Sequence, residues 1–212
     1  MPIIKNTVPI DLVTIMTTFD LIDAQKCVHL DEWLNCSFDI SEMEAQILDD
    51  IYSDILISGE YMNEEELRAR MIALIFYAAK IDVPNKIRVF YERPLSAVIQ
   101  SFTLSVVTDC MVATPLKSSP IKPYFFLQEF KKAKGEKKDP EAQMLLAMLI
   151  AQHKNNDDKP IYGGYLIGTG FHFTTLIDKN YCVSKKLEAT YKSDLTQIVF
   201  ILKQLKNFIL NR

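Results

Sequence analysis

Three charged residues interrupt stretches that are otherwise apolar. Asp109 stands inside the run at 104–113, where a carboxylate is costly unless something uses it. Glu129 and Lys131 interrupt the next run, at 124–131. Two residues apart on an extended chain, they project from one face. If the two runs are strands that pair, Asp109 lies beside Glu129, and two carboxylates and one ammonium gather in one place. Neighbouring carboxylates repel unless a cation or proton intervenes, and an all-oxygen ligand set suits Mg²⁺ with its retained waters. Water on such an ion has a lowered pKa, and with Lys131 beside it becomes a competent nucleophile toward a phosphodiester. From spacing alone, the simpler account of a lone Glu-x-Lys is a salt bridge from Lys131 to Glu129 or Asp109 at a strand end.

The elements that would position these residues follow from periodicity. The first forty residues are hard to assign: short apolar stretches at 8–16 and 27–34 are broken by polar residues and carry the single tryptophan, Trp33. Ser41 with Glu44 forms a capping box, and Met43, Ile47, Leu48, Ile51 and Ile55 recur at helical spacing up to Gly59. Asn63 with Glu66 opens a second helix through Leu67, Met71, Leu74, Ile75 and Ala78, which Pro84 closes soon after Ile81. Residues 1–82 therefore read as a helical portion and residues 83–212 as the core. In the core the period becomes two, giving strands at 87–91, 97–104, 106–113 and 124–131, with the proline-bearing stretch 114–123 as a loop. A lysine-rich turn at 132–138 leads to Asp139-Pro140, a strong helix start. The helix at 141–153 is apolar nearly all round and belongs against a sheet with something else covering its back. Strands at 161–168, 172–177 and 181–184 and a last amphipathic helix capped by Ser193 complete an α/β (α+β) chain.

The stretch from 87 to 152 resembles the core of the PD-(D/E)XK nuclease superfamily, whose motif is an aspartate on one strand and (D/E)xK on the following one. Here these are Val107-Thr108-Asp109, with threonine in place of the proline, and Gln128-Glu129-Phe130-Lys131. Gln143 stands where the RecB-like branch carries a helix glutamine, whereas the branch's tyrosine four residues later is Ala147. Asn63–Leu67 (Asn-Glu-Glu-Glu-Leu), Phe90-Tyr91-Glu92-Arg93, Pro123-Tyr124-Phe125-Phe126 and Ile161-Tyr162-Gly163-Gly164-Tyr165 are similar to stretches of small uncharacterised bacterial members of that superfamily. The resemblance implies a restriction-endonuclease-like mixed sheet flanked by helices and a Mg²⁺- or Mn²⁺-dependent deoxyribonuclease acting in restriction, repair or defence. It implies Asp109 and Glu129 as metal ligands, with the Phe130 carbonyl as a further one, Lys131 as the group that orients the water, and Gln143 as its positioner. Glu66, ahead of Glu65, is the candidate for an added helix carboxylate; a capping box is the alternative use of Glu66. Lys132, Lys134 and Lys137 are candidates for contacts with flanking phosphates, against the alternative of a solvated turn. DNA is the expected partner and RNA a second; a homodimer would permit double-strand cutting.

Other polar and aromatic residues have plainer readings. Glu92 reads as a strand-end carboxylate near the site or, more readily, as a partner of Arg93. His172, Tyr162, Tyr165 and Phe173 read more readily as core positions than as catalytic or base-stacking groups. Gly168-Thr169-Gly170 is a hairpin turn, since no helix follows to make a phosphate cradle.

Of 212 residues, 49% are hydrophobic and 24% charged, which excludes a disordered chain. No membrane-spanning stretch and no secretory signal are visible, so a cytoplasmic protein is expected. The scattered cysteines read as small buried hydrophobes, and the three histidines are not placed for zinc. A net charge of −3 conceals a division: residues 1–66 carry fifteen acids and two bases, and the remainder twelve acids and twenty-two bases. The average argues against a general nucleic-acid coat, while the basic part can meet a polyanion. The acidic part gives a second hypothesis, a non-catalytic protein that keeps the nuclease architecture and uses it to dock nucleic acid or a protein.

Overall fold

The computed structural model describes residues 8–131 and 139–211, and the side chains of all of these except 123 and 125–131. The chain has mixed α/β architecture. It begins with α1 (Leu12–Thr18), capped by Asp11, then the two-residue strand β1 (Ile22–Asp23) and α2 (Val28–Leu34). Both expected capping boxes form, at the starts of α3 (Glu42–Ser58) and α4 (Glu64–Leu67). The second helix is not uniform: a π-turn (Arg68–Ile72) separates α4 from α5 (Ala73–Ala79), which ends on Lys80 in the left-handed region.

β2 (Arg88–Ile99), β3 (Phe102–Leu116) and β4 (Ser119–Lys131) form two long antiparallel hairpins. Two expectations are corrected here. The strand expected at 97–104 is the end of β2, a tight turn with Gln100 at φ 56°, and the start of β3. The loop expected at 114–123 is mostly strand, with Pro115 opposite Pro120 and the turn at Lys117. Proline is tolerated there because this end of the hairpin runs beyond its neighbours: the β2 pairing stops at Ala113 and the β5 pairing begins at Phe126, so a missing N–H breaks no further ladder.

Next comes α6 (Pro140–Asn155), capped as expected by Asp139, whose Oδ1 accepts from the Glu141 and Ala142 amides at 3.0 and 3.2 Å. β5 (Ile161–Ile167), β6 (Gly170–Ile177), β7 (Asn180–Val183), β8 (Leu187–Glu188) and α7 (Lys192–Leu210) follow. Tyr191, not Ser193, is the N-cap of α7, and no side chain caps it. The sheet order is β1-β7-β6-β5-β4-β3-β2, with β8 beside β6; β4–β5 and β1–β7 are parallel and the other pairs antiparallel. The parallel β4–β5 pair requires a crossover, and α6 provides it.

Each face of the sheet carries its own core. On one side α6 lies against β2 to β6 with α1 over its back, where Ile15 and Phe19 join Met144, Leu145 and Met148. That covering is what an all-round apolar helix requires. A Cβ on Gly163 would stand 2.9 Å from the Met144 and Met148 sulfurs, so the glycine lets α6 settle onto β5. On the other side Trp33, Ile51, Leu67, Met71 and Leu202 form the second core under α2 to α5 and α7. Trp33 is fully buried, donates its Nε1–H to the Ile201 carbonyl at 2.8 Å and meets Tyr162 and Phe173 edge-on. Burial of a side chain of that size contributes roughly 3 kcal/mol.

The cysteines do not behave alike. Cys27, at the N-cap of α2, and Cys182, in β7, form a disulfide that ties the N-terminal portion to the sheet, which corrects their reading as mere buried hydrophobes. Cys110 is a core residue, and burial pushes the Cys36 thiol up to about 11. Among the described residues no helix is long and apolar enough to cross a membrane.

Candidate active site

The candidate site begins at an irregularity shared by β2 and β3. Pairing runs through Tyr91↔Cys110 and Arg93↔Thr108, and skips Glu92 and Asp109 between them. The side-chain alternation slips one residue there. In β3 the α6 face is lined by Leu104 and Val106 before the slip and by Met111 and Ala113 after it; in β2 it is lined by Phe90 before and Leu95 after. Glu92 itself has φ 51°, a conformation that disfavours any side chain. Asp109 thus interrupts an apolar strand at the point where that strand changes which residues it shows to each core.

Arg68 meets this irregularity from the helical side. It opens the π-turn, a local widening of the helix that re-aims the side chains after it. Its Nη1 donates to Glu92 Oε1 at 2.6 Å. The Glu92 hydrogen bond, with the charges of Glu92, Asp109 and Glu65, outweighs partial burial and raises the guanidinium's pKa above its ordinary value. Arg68 is therefore hydrogen-bonded to Glu92 of β2 and within electrostatic reach of Asp109 and Glu65. Glu92 pairs with Arg68 and not with its chain neighbour Arg93, whose guanidinium lies 5.8 Å from the centre of the Phe90 ring.

Glu66 is placed differently from its expected metal role. Its carboxylate accepts from the Asn63 amide at 2.8 Å while its own amide donates to Asn63 Oδ1 at 2.9 Å, so it is engaged in its helix cap. The helix carboxylate whose charge reaches Arg68 is Glu65.

β4 brings the other half of the motif alongside. Cys110 pairs with Gln128 at the end of that antiparallel ladder, and Asp109 and Glu129 are the next residues along the two strands. On its other edge β4 pairs Glu129 with Tyr165, Phe130 with Leu166 and Lys131 with Ile167. The side chains of Glu129, Phe130 and Lys131 lie outside the described set, as do residues Lys132, Lys134 and Lys137. Gln143 sits one turn into α6, 9% exposed, and its Oε1 has no hydrogen-bond partner among the described residues. A buried amide oxygen without a donor is uncommon and calls for a donor at that place.

Beside Gln143, Glu141 accepts from the Tyr165 hydroxyl at 3.0 Å. Burial raises the Glu141 carboxyl above its ordinary value, against the opposing effect of that hydrogen bond. Tyr165 is buried and stacks on His172 with ring centres 4.8 Å apart; Tyr162 and Phe173 are buried in the opposite core. None of the three aromatics presents a face to a base. Burial lowers the pKa of His172 below its ordinary value.

Sequence reasoning missed Arg68. The available signal was its position: residues 27–67 hold twelve acids and no Lys or Arg, and Arg68 is the first base after them. Among the described residues no three His, Cys, Asp or Glu side chains gather to hold a metal ion. Of the expected ligands, Asp109 and Glu129 flank the same end of the β3–β4 ladder, a donor set suited to Mg²⁺ or Mn²⁺, which keep several waters and need only one or two carboxylates. No protein-family model matches this chain, and no curated protein matches it.

Proposed function

We propose that this chain is a metal-dependent nuclease of the PD-(D/E)XK type that hydrolyses phosphodiester bonds of DNA. The observation that carries the reading is the junction of β3 and β4: Asp109 stands at the strand irregularity, at the end of the ladder with the strand that bears Glu129 and Lys131. The helix that follows β4 carries a buried, donor-seeking Gln143. Strand, strand, helix is the order the resemblance requires.

In this reading Asp109, Glu129 and the Phe130 carbonyl hold Mg²⁺ or Mn²⁺, which supplies an activated water and charge neutralisation. Lys131 orients that water and stabilises charge developing on the phosphate oxygens. Gln143 Oε1 accepts from the Lys131 ammonium and fixes its direction. Lys132, Lys134 and Lys137 neutralise phosphates beside the cut. A role in restriction, repair or defence would place the protein in the cytoplasm, where a disulfide such as Cys27–Cys182 is rare.

Incubation with duplex, single-stranded and branched DNA, and with RNA, in Mg²⁺ or Mn²⁺ tests the reading. Wild type is expected to cut DNA, and Asp109→Ala and Lys131→Ala to lose roughly 10²–10³-fold or more of that activity. Equal activity in all three proteins, or none on any substrate, overturns it.

The guanidinium already within electrostatic reach of Asp109 favours a second reading, a non-catalytic protein that binds nucleic acid or a protein partner through the same face. Calorimetry separates the two: Mn²⁺ binding that Asp109→Ala abolishes supports the nuclease, and DNA binding with no Mn²⁺ binding supports the second reading.

A further inference from the structure

We propose that Arg68 is the receptor for a backbone phosphate of DNA, and that Glu92 holds its place as an internal anion until the DNA arrives. The identity of the anion rests on the nuclease reading; the exchange of partners rests on the Arg68–Glu92 geometry.

A guanidinium presents a planar fork of donors that matches a carboxylate and a phosphate oxygen pair alike. The two partners differ in freedom. The Arg68 side chain is 24% exposed and that of Glu92 66%. The cation is walled in and the anion faces solvent, so the carboxylate is the partner able to swing aside. Folding stability does not account for the pair. An exposed ion pair contributes little, and Glu92 occupies a backbone conformation that its side chain disfavours.

The surroundings give the exchange a purpose. The chain that leads into Arg68, residues 27–67, holds twelve acids and no Lys or Arg, so Arg68 is the first cation that this part of the sequence offers to an anion. Arg68 feels the charges of Asp109 and Glu65 as well as that of Glu92. A phosphate that replaces Glu92 on that guanidinium keeps a charge-assisted contact of the same geometry and lies within electrostatic reach of the strand that bears Asp109.

Binding of short fluorescein-labelled single-stranded and duplex DNA, followed by anisotropy in EDTA across a salt series, tests this without cleavage. Arg68→Ala is expected to weaken binding about tenfold and to reduce the slope of log K against log salt by about one. Arg68→Lys recovers part of the loss, Glu92→Gln tightens binding about threefold, and the Arg68→Ala/Glu92→Gln double variant binds like Arg68→Ala. Lys179→Ala, which removes an exposed cation paired with Asp20, keeps wild-type affinity. Circular dichroism checks each fold; if Arg68→Ala fails to fold, Arg68→Lys and Glu92→Gln decide the matter.

Unchanged affinity and salt slope in folded Arg68→Ala overturn the inference. So do weaker binding by Glu92→Gln, an equal loss in Lys179→Ala, or a wild type that binds no DNA. A wild type that cleaves while Arg68→Ala binds normally sinks this inference and spares the nuclease; binding through Arg68 with no cleavage does the reverse.

Discussion

Glu44 and Arg68 both belong to the helical layer over Trp33, and each feels more than one opposite charge. Glu44 is 5% exposed and meets Lys203 at 3.0 Å, Lys80 at 3.3 Å and the Ser41 amide at 3.0 Å. Burial by itself would raise its carboxyl; the amide and the two lysines prevail and hold it at about 2. Arg68 reverses the arrangement, with one cation hydrogen-bonded to Glu92 and within electrostatic reach of Asp109 and Glu65, and its nearest anion faces solvent. Glu44 ties α3 to α7 and to the end of α5 in a closed cluster, its carboxylate buried between two lysines. The Arg68 cluster lies at a π-turn and a left-handed strand residue, with the Glu92 carboxylate 66% exposed. A closed cluster contributes stability; one whose carboxylate faces solvent can exchange that carboxylate for a ligand's charge.

Breaking the two clusters is expected to give unequal results. Glu44→Ala leaves Lys203, whose side chain is 11% exposed, without its carboxylate. The expected cost is about 3 kcal/mol, seen in thermal unfolding as a Tm lower by roughly 9 °C. The pH dependence has a definite sign. The folded carboxyl lies below its unfolded value, so its contribution is complete above about pH 5 and is lost as pH falls toward about 2. Acid unfolding of wild type and Glu44→Ala should therefore converge at low pH, and a constant gap would remove this assignment.

Arg68→Ala is expected to lower stability by less than about 1 kcal/mol in urea unfolding, as an exposed pair does. A loss equal to that of Glu44→Ala would erase the contrast between the clusters. Glu92 sharpens it further. Glu92→Gly should be more stable than Glu92→Ala by about 1 kcal/mol, because only glycine adopts φ 51° without strain; equal Tm values would deny that strain.

The smallest effect belongs to Glu141. Its folded pKa is raised by burial, so wild type loses stability as pH rises from the unfolded carboxylate range through the folded value. Glu141→Gln lacks this loss. Its Tm should exceed that of wild type by about 2 °C at neutral pH, with the gain vanishing in acid.

The legible parts of the sequence were those whose signal is local. The capping boxes at Ser41 and Asn63 and the Asp139-Pro140 helix start each lie within four residues and formed as read. The all-round apolar character of α6 correctly required cover on both sides. Hairpin turns were misread because Gln100 and Lys117 carry none of the Gly, Asn or Pro signals that usually mark a left-handed turn residue, while Pro115 and Pro120 mark a loop that the structure makes into strand. In the candidate site, Asp109 announced itself as a charge in an apolar run. The partnership of Arg68 with Glu92, 24 residues apart, and the Cys27–Cys182 bond, 155 apart, depend on how the helical layer docks. No local pattern encodes that docking.

The most direct measurement is a crystal of the protein soaked in Mn²⁺, with anomalous diffraction used to locate the ion. The nuclease account expects one Mn²⁺ bound by carboxylate oxygens of both Asp109 and Glu129 at about 2.2 Å, with the Lys131 ammonium nearby. An ion found elsewhere, or no ion while the Glu129 carboxylate points away from Asp109, would contradict it.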